Sequence, residues 1–267
     1  MNVFICADIE GVTTTTTWDE TNPSHSSYGL HAKQMTEEVL ACIRGAKKAG
    51  AKQIVVKDAH GPGTNIDPSV MPSGVCLLRG WSGHPDGMVE GIDMSYDAAM
   101  FVGHHSAAGK TGSPMAHTYS GRCNYIKING EFASEFLIYS YACANKRVPT
   151  VFLSGDRCLC DDSQNLHPKL VTCPVKDGNG AMTVNYSPAD TLKEIAELSE
   201  KALTQDLTGA LVKLPKFFEV ELCFKDHAHA KKVSYFPFPK MKKVSDHIIS
   251  FTTIDYDEVL RTLVWVL

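Results

Sequence analysis

The first apolar run of the chain, Val3 to Ala7, ends in two acids separated by one apolar residue, in Ala7-Asp8-Ile9-Glu10-Gly11. A strand alternates its side chains with a period of two, so Asp8 and Glu10 share one face at its C-terminal end. Two carboxylates at the mouth of a buried strand repel each other and lose hydration, and something positive has to compensate them. A divalent metal pair is the strongest candidate. The plain alternative is a solvated strand end, and this motif alone does not separate the two.

At 267 residues the chain can bury a full core, as one large domain or as a large and a small one. The formal charge of -4 argues against a nucleic-acid or anionic-membrane partner. No apolar run reaches spanning length, and the N-terminus enters a strand-like segment without the pattern of a secretory leader. Nine cysteines, an odd number scattered through the chain, fit the reduced thiols of a cytoplasmic protein. Cys158-x-Cys160 has the wrong spacing for a zinc motif and no second pair, so these read as ordinary thiols on a helix.

Strand and helix signals alternate. After the threonine-rich loop from Thr13 to Thr17, apolar residues recur at Met35, Val39, Leu40, Ile43 and Ala46, a helical stripe stopped at Gly50. Ile54 to Val56, Ala98 to Val102, Tyr125 to Ile128 and Val151 to Leu153 read as further strands, with helices at Phe136 to Ala144 and Pro188 to Leu203. The fold class expected is α/β, a mostly parallel sheet with helices on both faces plus a smaller C-terminal α/β region. Residues 1–205 form the expected metal-binding catalytic domain and 206–267 the small region, with strands at Phe218 to Phe224 and Ile248 to Thr253 and a final helix from Tyr256 to Leu267. Its lysines (Lys231, Lys232, Lys240, Lys242, Lys243) are interleaved with acids and read as a solvated face.

Open parallel sheets bind ligands outside the C-terminal ends of their strands. Those ends carry Asp8 and Glu10, then Lys57-Asp58-Ala59-His60-Gly61, then Gly103-His104-His105-Ser106, and, after the strand at Tyr125 and its turn, Glu135. Any one histidine there is an ordinary loop residue, but four segments converging on one rim favour metal binding. Mixed nitrogen and oxygen donors suit zinc, and two ions with a bridging acid account for so many carboxylates. Asp58, two residues before His60, is expected to orient its imidazole. His104 and His105 point to opposite faces of a strand and are not expected to coordinate together.

The stretches ADIEG, KDAHG, GHHS, Met115-Ala116-His117-Thr118 and INGEFASE resemble the M55 peptidases, the D-aminopeptidase family of the dipeptide-operon type. The resemblance covers most of residues 1–160, including MTEE at Met35 to Glu38, MVEG at Met88 to Gly91 and SGD at Ser154 to Asp156. It implies a zinc aminopeptidase with two ions per subunit, assembled as a ring-shaped homo-oligomer such as a decamer that encloses its active sites. The family's metal ligands fall on Asp8, Glu10, His60, His105 and Glu135, and its catalytic nucleophile or base falls on His117. This register selects His105, leaving His104 to packing or hydrogen bonding. Without the resemblance His117, in a loop of small residues, would read as a surface residue. The threonine run and the doubled histidine depart from the family pattern.

The expected activity is release of the N-terminal residue from a short peptide or amino-acid amide. D-selectivity is implied by the resemblance alone. One rival is another binuclear-metal hydrolase such as a phosphoesterase, for which Arg79, Arg122 and Arg157 would be the anion clamps, although no phosphate cradle exists beyond Gly61-Pro62-Gly63. The other is a non-catalytic metal-binding assembly protein.

Overall fold

The computed structural model describes residues 1–167, 169–237 and 241–267, so Lys240 of the lysine-rich stretch lies outside the described residues. The first half contains β1 (Asn2–Ala7), α1 (Tyr28–Lys48), β2 (Gln53–Asp58), β3 (Val75–Leu78), β4 (Ala98–His104), β5 (Cys123–Ile128), β6 (Glu131–Phe132) and α2 (Glu135–Asn145). The second half contains β7 (Thr150–Asp156), α3 (Arg157–Leu166), β8 (Val171–Asn179), β9 (Met182–Asn185), α4 (Pro188–Thr204), β10 (Phe218–Phe224), α5 (His227–Val233), β11 (Lys242–Lys243), β12 (Ile248–Thr253) and α6 (Tyr256–Val266).

Seven strands form one sheet in the order β3-β2-β1-β4-β7-β8-β9, parallel except for β9. Its central strands β1, β4 and β7 are continuous apolar runs because helices cover both faces. On one face Val3, Ile5, Met100 and Val102 pack against α1 and α4; on the other, Phe4, Cys6 and Phe101 pack against α2. Helix α1 buries the stripe Met35, Val39, Cys42, Ile43 and Ala46, and Gly50 beyond its end adopts the left-handed φ of +88° that releases the chain. From β1 the chain builds outward through β2 and β3, then crosses to the opposite side of β1 as β4. That reversal opens a crevice between the C-terminal ends of β1 and β4.

The strand expected at Tyr125 to Ile128 exists, but not in the parallel sheet. As β5 it pairs antiparallel with β10, bringing Ile126 opposite Leu222 and Ile128 opposite Val220. Cys123, Ile126 and Ile128 are buried while Asn124 is exposed, a one-sided pattern suited to an antiparallel sheet. Asn129 and Gly130, at φ of +52° and +86°, turn the chain into β6. The resulting five-stranded sheet, β11-β12-β10-β5-β6, draws strands from both sides of residue 205. It shares one apolar core with α2 and α6. No helix among the described residues is long and apolar enough to cross a membrane.

Candidate active site

Beyond β1 the chain stays joined to β4: Asp8 N donates to Val102 O at 2.9 Å, and Gly11 N to Gly103 O at 2.7 Å. The approach is so close that a Cβ on Gly11 would sit 1.8 Å from the His104 carbonyl oxygen. Gly103, with φ of +74°, bends the end of β4 around this loop. A lysine that sequence reasoning missed holds the loop from below. Lys176, on β8 and fully buried, donates to the carbonyls of Glu10, Val12 and Thr15, the last two at 3.2 and 2.5 Å. Burial pulls its ammonium down to about 8 against the opposing charge of Asp156, Glu38 and Glu10. The signal was a charged residue inside the apolar strand Val171 to Val175-Lys176.

The threonine run is structural. Thr13 Oγ1 donates to Val175 O and Tyr186 O, its N–H donates to Glu38, and Thr16 Oγ1 meets Thr183 Oγ1 at 2.6 Å. These bonds moor the loop that leads from the acids to Trp18.

The structure brings the five expected ligands together. His60 Nδ1 lies 2.9 Å from Glu10 Oε2 and 3.4 Å from Asp8 Oδ1, while its Nε2–H donates to Thr21 O at 3.0 Å. Asp58 does not orient this ring. It accepts from the N–H groups of Asn65 and Ile66 at 2.5 and 2.7 Å and from the Asn65 amide, organising the loop after His60 instead. Neighbouring strand residues face opposite sides, but Asp58 and His60 are separated by the end of β2, so the period of two no longer applies there.

His105 is almost completely buried, with Nε2 3.5 Å from Asp8 Oδ2 and 3.8 Å from Glu135 Oε2. Its Nδ1 faces Ser106 O at 3.0 Å and therefore carries the proton, leaving the Nε2 lone pair towards the acids. Asp156, capping α3, fixes this segment by accepting from Ser106 N and Oγ at 2.6 and 2.5 Å. His104 packs edge-on against Phe101 at 5.0 Å, and neither of its ring nitrogens makes a hydrogen bond. One of its nitrogens lies within 4.8 Å of carboxylate oxygens of Asp8 and Glu135, so the structure makes His104 a candidate donor as well as a packing residue.

Glu135 reaches the rim from the N-terminus of α2, where Ser134 caps the helix through Leu137 N, and not from the end of a parallel strand. Its Oε1 accepts from Tyr119 N at 2.6 Å and lies 3.8 Å from His117 Nε2. His117 Nδ1–H donates to Met115 O at 2.8 Å, so Nε2 presents its lone pair to the site.

Three polar atoms at the centre, Asp8 Oδ2, Glu10 Oε2 and His105 Nε2, are buried without a hydrogen bond. His60 Nδ1, 2.9 Å from Glu10 Oε2, supplies the acids with a positive charge when it is protonated. Buried acids and imidazoles that converge this way, several of their atoms unpaired, fit a borderline divalent cation. The electrostatics agree. Burial together with the carboxylates of Glu10 and Glu135 pushes Asp8 well above the usual range. Burial would depress His60, yet Glu10 and Asp8 outweigh it and lift the ring to about 11. Burial pushes His105 down to about 3, keeping it a neutral donor. Among the described residues three sets of donors lie close enough to share an ion: Asp8, Glu10 and His60; Asp8, His104 and Glu135; and Glu10, His105 and His117.

Above these groups opens a cavity of about 570 Å³, walled in part by Trp18, Trp81, Met88, Tyr119 and Val264. Sequence reasoning did not anticipate the two tryptophans. Arg79, Arg122 and Arg157, the expected anion clamps, do not line it: they bind Thr64 O, Leu267 O and the Asp177–Tyr186 pair.

The chain is similar to known proteins over its length. It is 26% identical over 204 residues to a D-aminopeptidase of Bacillus subtilis (strain 168), covering 76% of this chain and 74% of that protein. Its fold superposes with a TM-score of 0.91, at 21% identity, on the Zn-dependent D-aminopeptidase DppA from Bacillus subtilis, a self-compartmentalizing protease, covering all of this chain and 96% of that one. The model of the peptidase M55 D-aminopeptidase family matches residues 1–265, and the chain, with its acids and imidazoles gathered at the β1–β4 crevice, belongs to that family of hydrolases.

Proposed function

We propose that this protein is a zinc-dependent aminopeptidase that removes a D-configured N-terminal residue from short peptides or amino-acid amides. Asp8, Glu10, His60, His105 and Glu135 would hold the zinc, two ions per subunit. The observation that carries this reading is the convergence of buried donor atoms lacking hydrogen bonds at the crevice. When bound, the zinc pair supplies Lewis acidity for the scissile carbonyl and acidifies water towards neutral pH.

The chain's own residues supply the rest. His117, anchored through Nδ1, offers Nε2 either to attack the carbonyl or to take a proton and return it to the leaving amine. Glu135 Oε1, 3.8 Å from that nitrogen, stabilises the imidazolium when the proton arrives. The similarity to a self-compartmentalizing protease supports a ring-shaped homo-oligomer for this chain as well.

Elemental analysis of the purified protein tests the centre: a value near two zinc ions per chain is expected, and one near one would mean a mononuclear site. Turnover of D- but not L-alanyl dipeptides and amides is expected. Equal turnover of both removes D-selectivity, and faster cleavage of p-nitrophenyl phosphate than of an alanyl p-nitroanilide removes the peptidase reading. Light scattering after size exclusion reads the subunit number.

A further inference from the structure

We propose that the site selects an N-terminal residue with a large apolar, preferably aromatic, side chain. The inference rests on the aminopeptidase reading and concerns what the walls of its cavity recognise.

The cavity, about 570 Å³, is in the range of pockets that enclose molecules much bulkier than an alanyl residue. Two indoles line it, each with much of its surface open: Trp18 is 50% exposed and Trp81 43%. Both are fixed in place. Trp81 Nε1 donates to Gly61 O at 2.8 Å, and its ring rests on the Lys57 ammonium at 4.0 Å. Its polar group is therefore satisfied, and the surface it offers is ring carbon. Trp18 packs edge-on against His117, centroids 5.1 Å apart, placing an apolar wall beside the proposed catalytic imidazole. A side chain of matching character gains roughly 25 cal/mol for each Å² of apolar surface it covers there.

Among the described residues no lysine or arginine lines the cavity, so its walls offer a substrate side chain apolar surface and neither an ammonium nor a guanidinium group.

The test compares phenylalanine amide and alanine amide, each in both configurations, with the zinc-loaded native protein. Expected is a kcat/KM at least about tenfold higher for phenylalanine amide than for alanine amide. Trp81→Ala narrows the phenylalanine-to-alanine ratio. Binding of the same two amides to the His117→Ala protein, followed by calorimetry, gives a readout free of turnover. Ratios near one or reversed, with turnover present, overturn the selectivity and leave the hydrolase standing. Tighter binding of phenylalanine amide with no turnover of any amide by the unmodified protein does the opposite. A Trp81→Ala protein that loses both amides equally removes the indole from the selectivity.

Discussion

The imidazoles of His105 and His117 lie face to face, ring centroids 4.3 Å apart and planes inclined by 8°. Trp18 meets His117 edge-on, centroids 5.1 Å apart. The ring proposed for catalysis is thus packed against both the buried His105 imidazole and an indole, and its Nδ1 is spent on Met115 O. Its freedom is confined to the one nitrogen that faces the cavity, the kind of prior ordering that makes a proton transfer or an attack effective.

Replacing His117 with alanine is expected to lower kcat by roughly 10²-fold to 10⁴-fold, the contribution of a positioned acid–base, or more if the ring attacks covalently. Zinc content stays at the unmodified value. Loss of bound zinc in this variant, read by elemental analysis, would show that His117 is a ligand.

Lys176→Met removes the ammonium that ties the carbonyls of Glu10, Val12 and Thr15 to β8. The carbonyls of Glu10 and Thr15 lose this buried donor while Val12 O keeps only the Thr15 N–H at 3.4 Å, and the loop bearing Glu10 loosens. Zinc affinity is expected to fall about 10-fold to 100-fold, as when other supports behind metal ligands are lost. Competition with a chromophoric chelator measures it; unchanged affinity with a lowered melting temperature would make Lys176 a residue of general stability only.

Gly11→Ala forces a methyl group to within 1.8 Å of the His104 carbonyl, a backbone atom that cannot swing aside. The β1 and β4 ends have to part. A loss of about 3 kcal/mol or more is expected from urea unfolding, beyond the usual range for one added methyl.

Burial raises the Glu38 carboxyl to about 7, against hydrogen bonds from Gln34 and Thr13 N and the charge of Lys176. The folded protein therefore keeps this proton while the unfolded chain releases it near 4.5. Its contribution to stability is lost as pH rises from about 4.5 to about 7, by an amount on the order of 3 kcal/mol, and is constant above that window. Glu38→Gln abolishes this slope, so the variant gains on the unmodified protein at pH 8 relative to pH 5. Urea midpoints at both pH values check it, and a constant difference between the two proteins would refute the raised carboxyl.

Most of the parallel sheet was legible because its strands are short apolar runs and α1 keeps a regular stripe. β8 was not, since Pro174 and Lys176 interrupt its apolar character. Placing β5 in the wrong sheet had a physical cause: an isolated strand does not reveal its partner, and only the one-sided burial and the Asn129–Gly130 turn told of an antiparallel neighbour. The acids and imidazoles of the rim stood out in the sequence because charge at a strand's end is costly unless compensated, while the proposed ligand set came from the family resemblance. Asp58 misled because a carboxylate two residues from a histidine looks like its partner, while its bonds run to Asn65 and Ile66. Trp18 and Trp81 carry no pattern of their own, and their place beside the acids follows from loops whose course no periodicity records.

The proposed ligands come from four places far apart in the chain: the end of β1, the loop after β2, the end of β4 and the start of α2. A cation held by all of them would tie these segments together across the closed sheet, so chelation is expected to lower the melting temperature as well as to stop turnover.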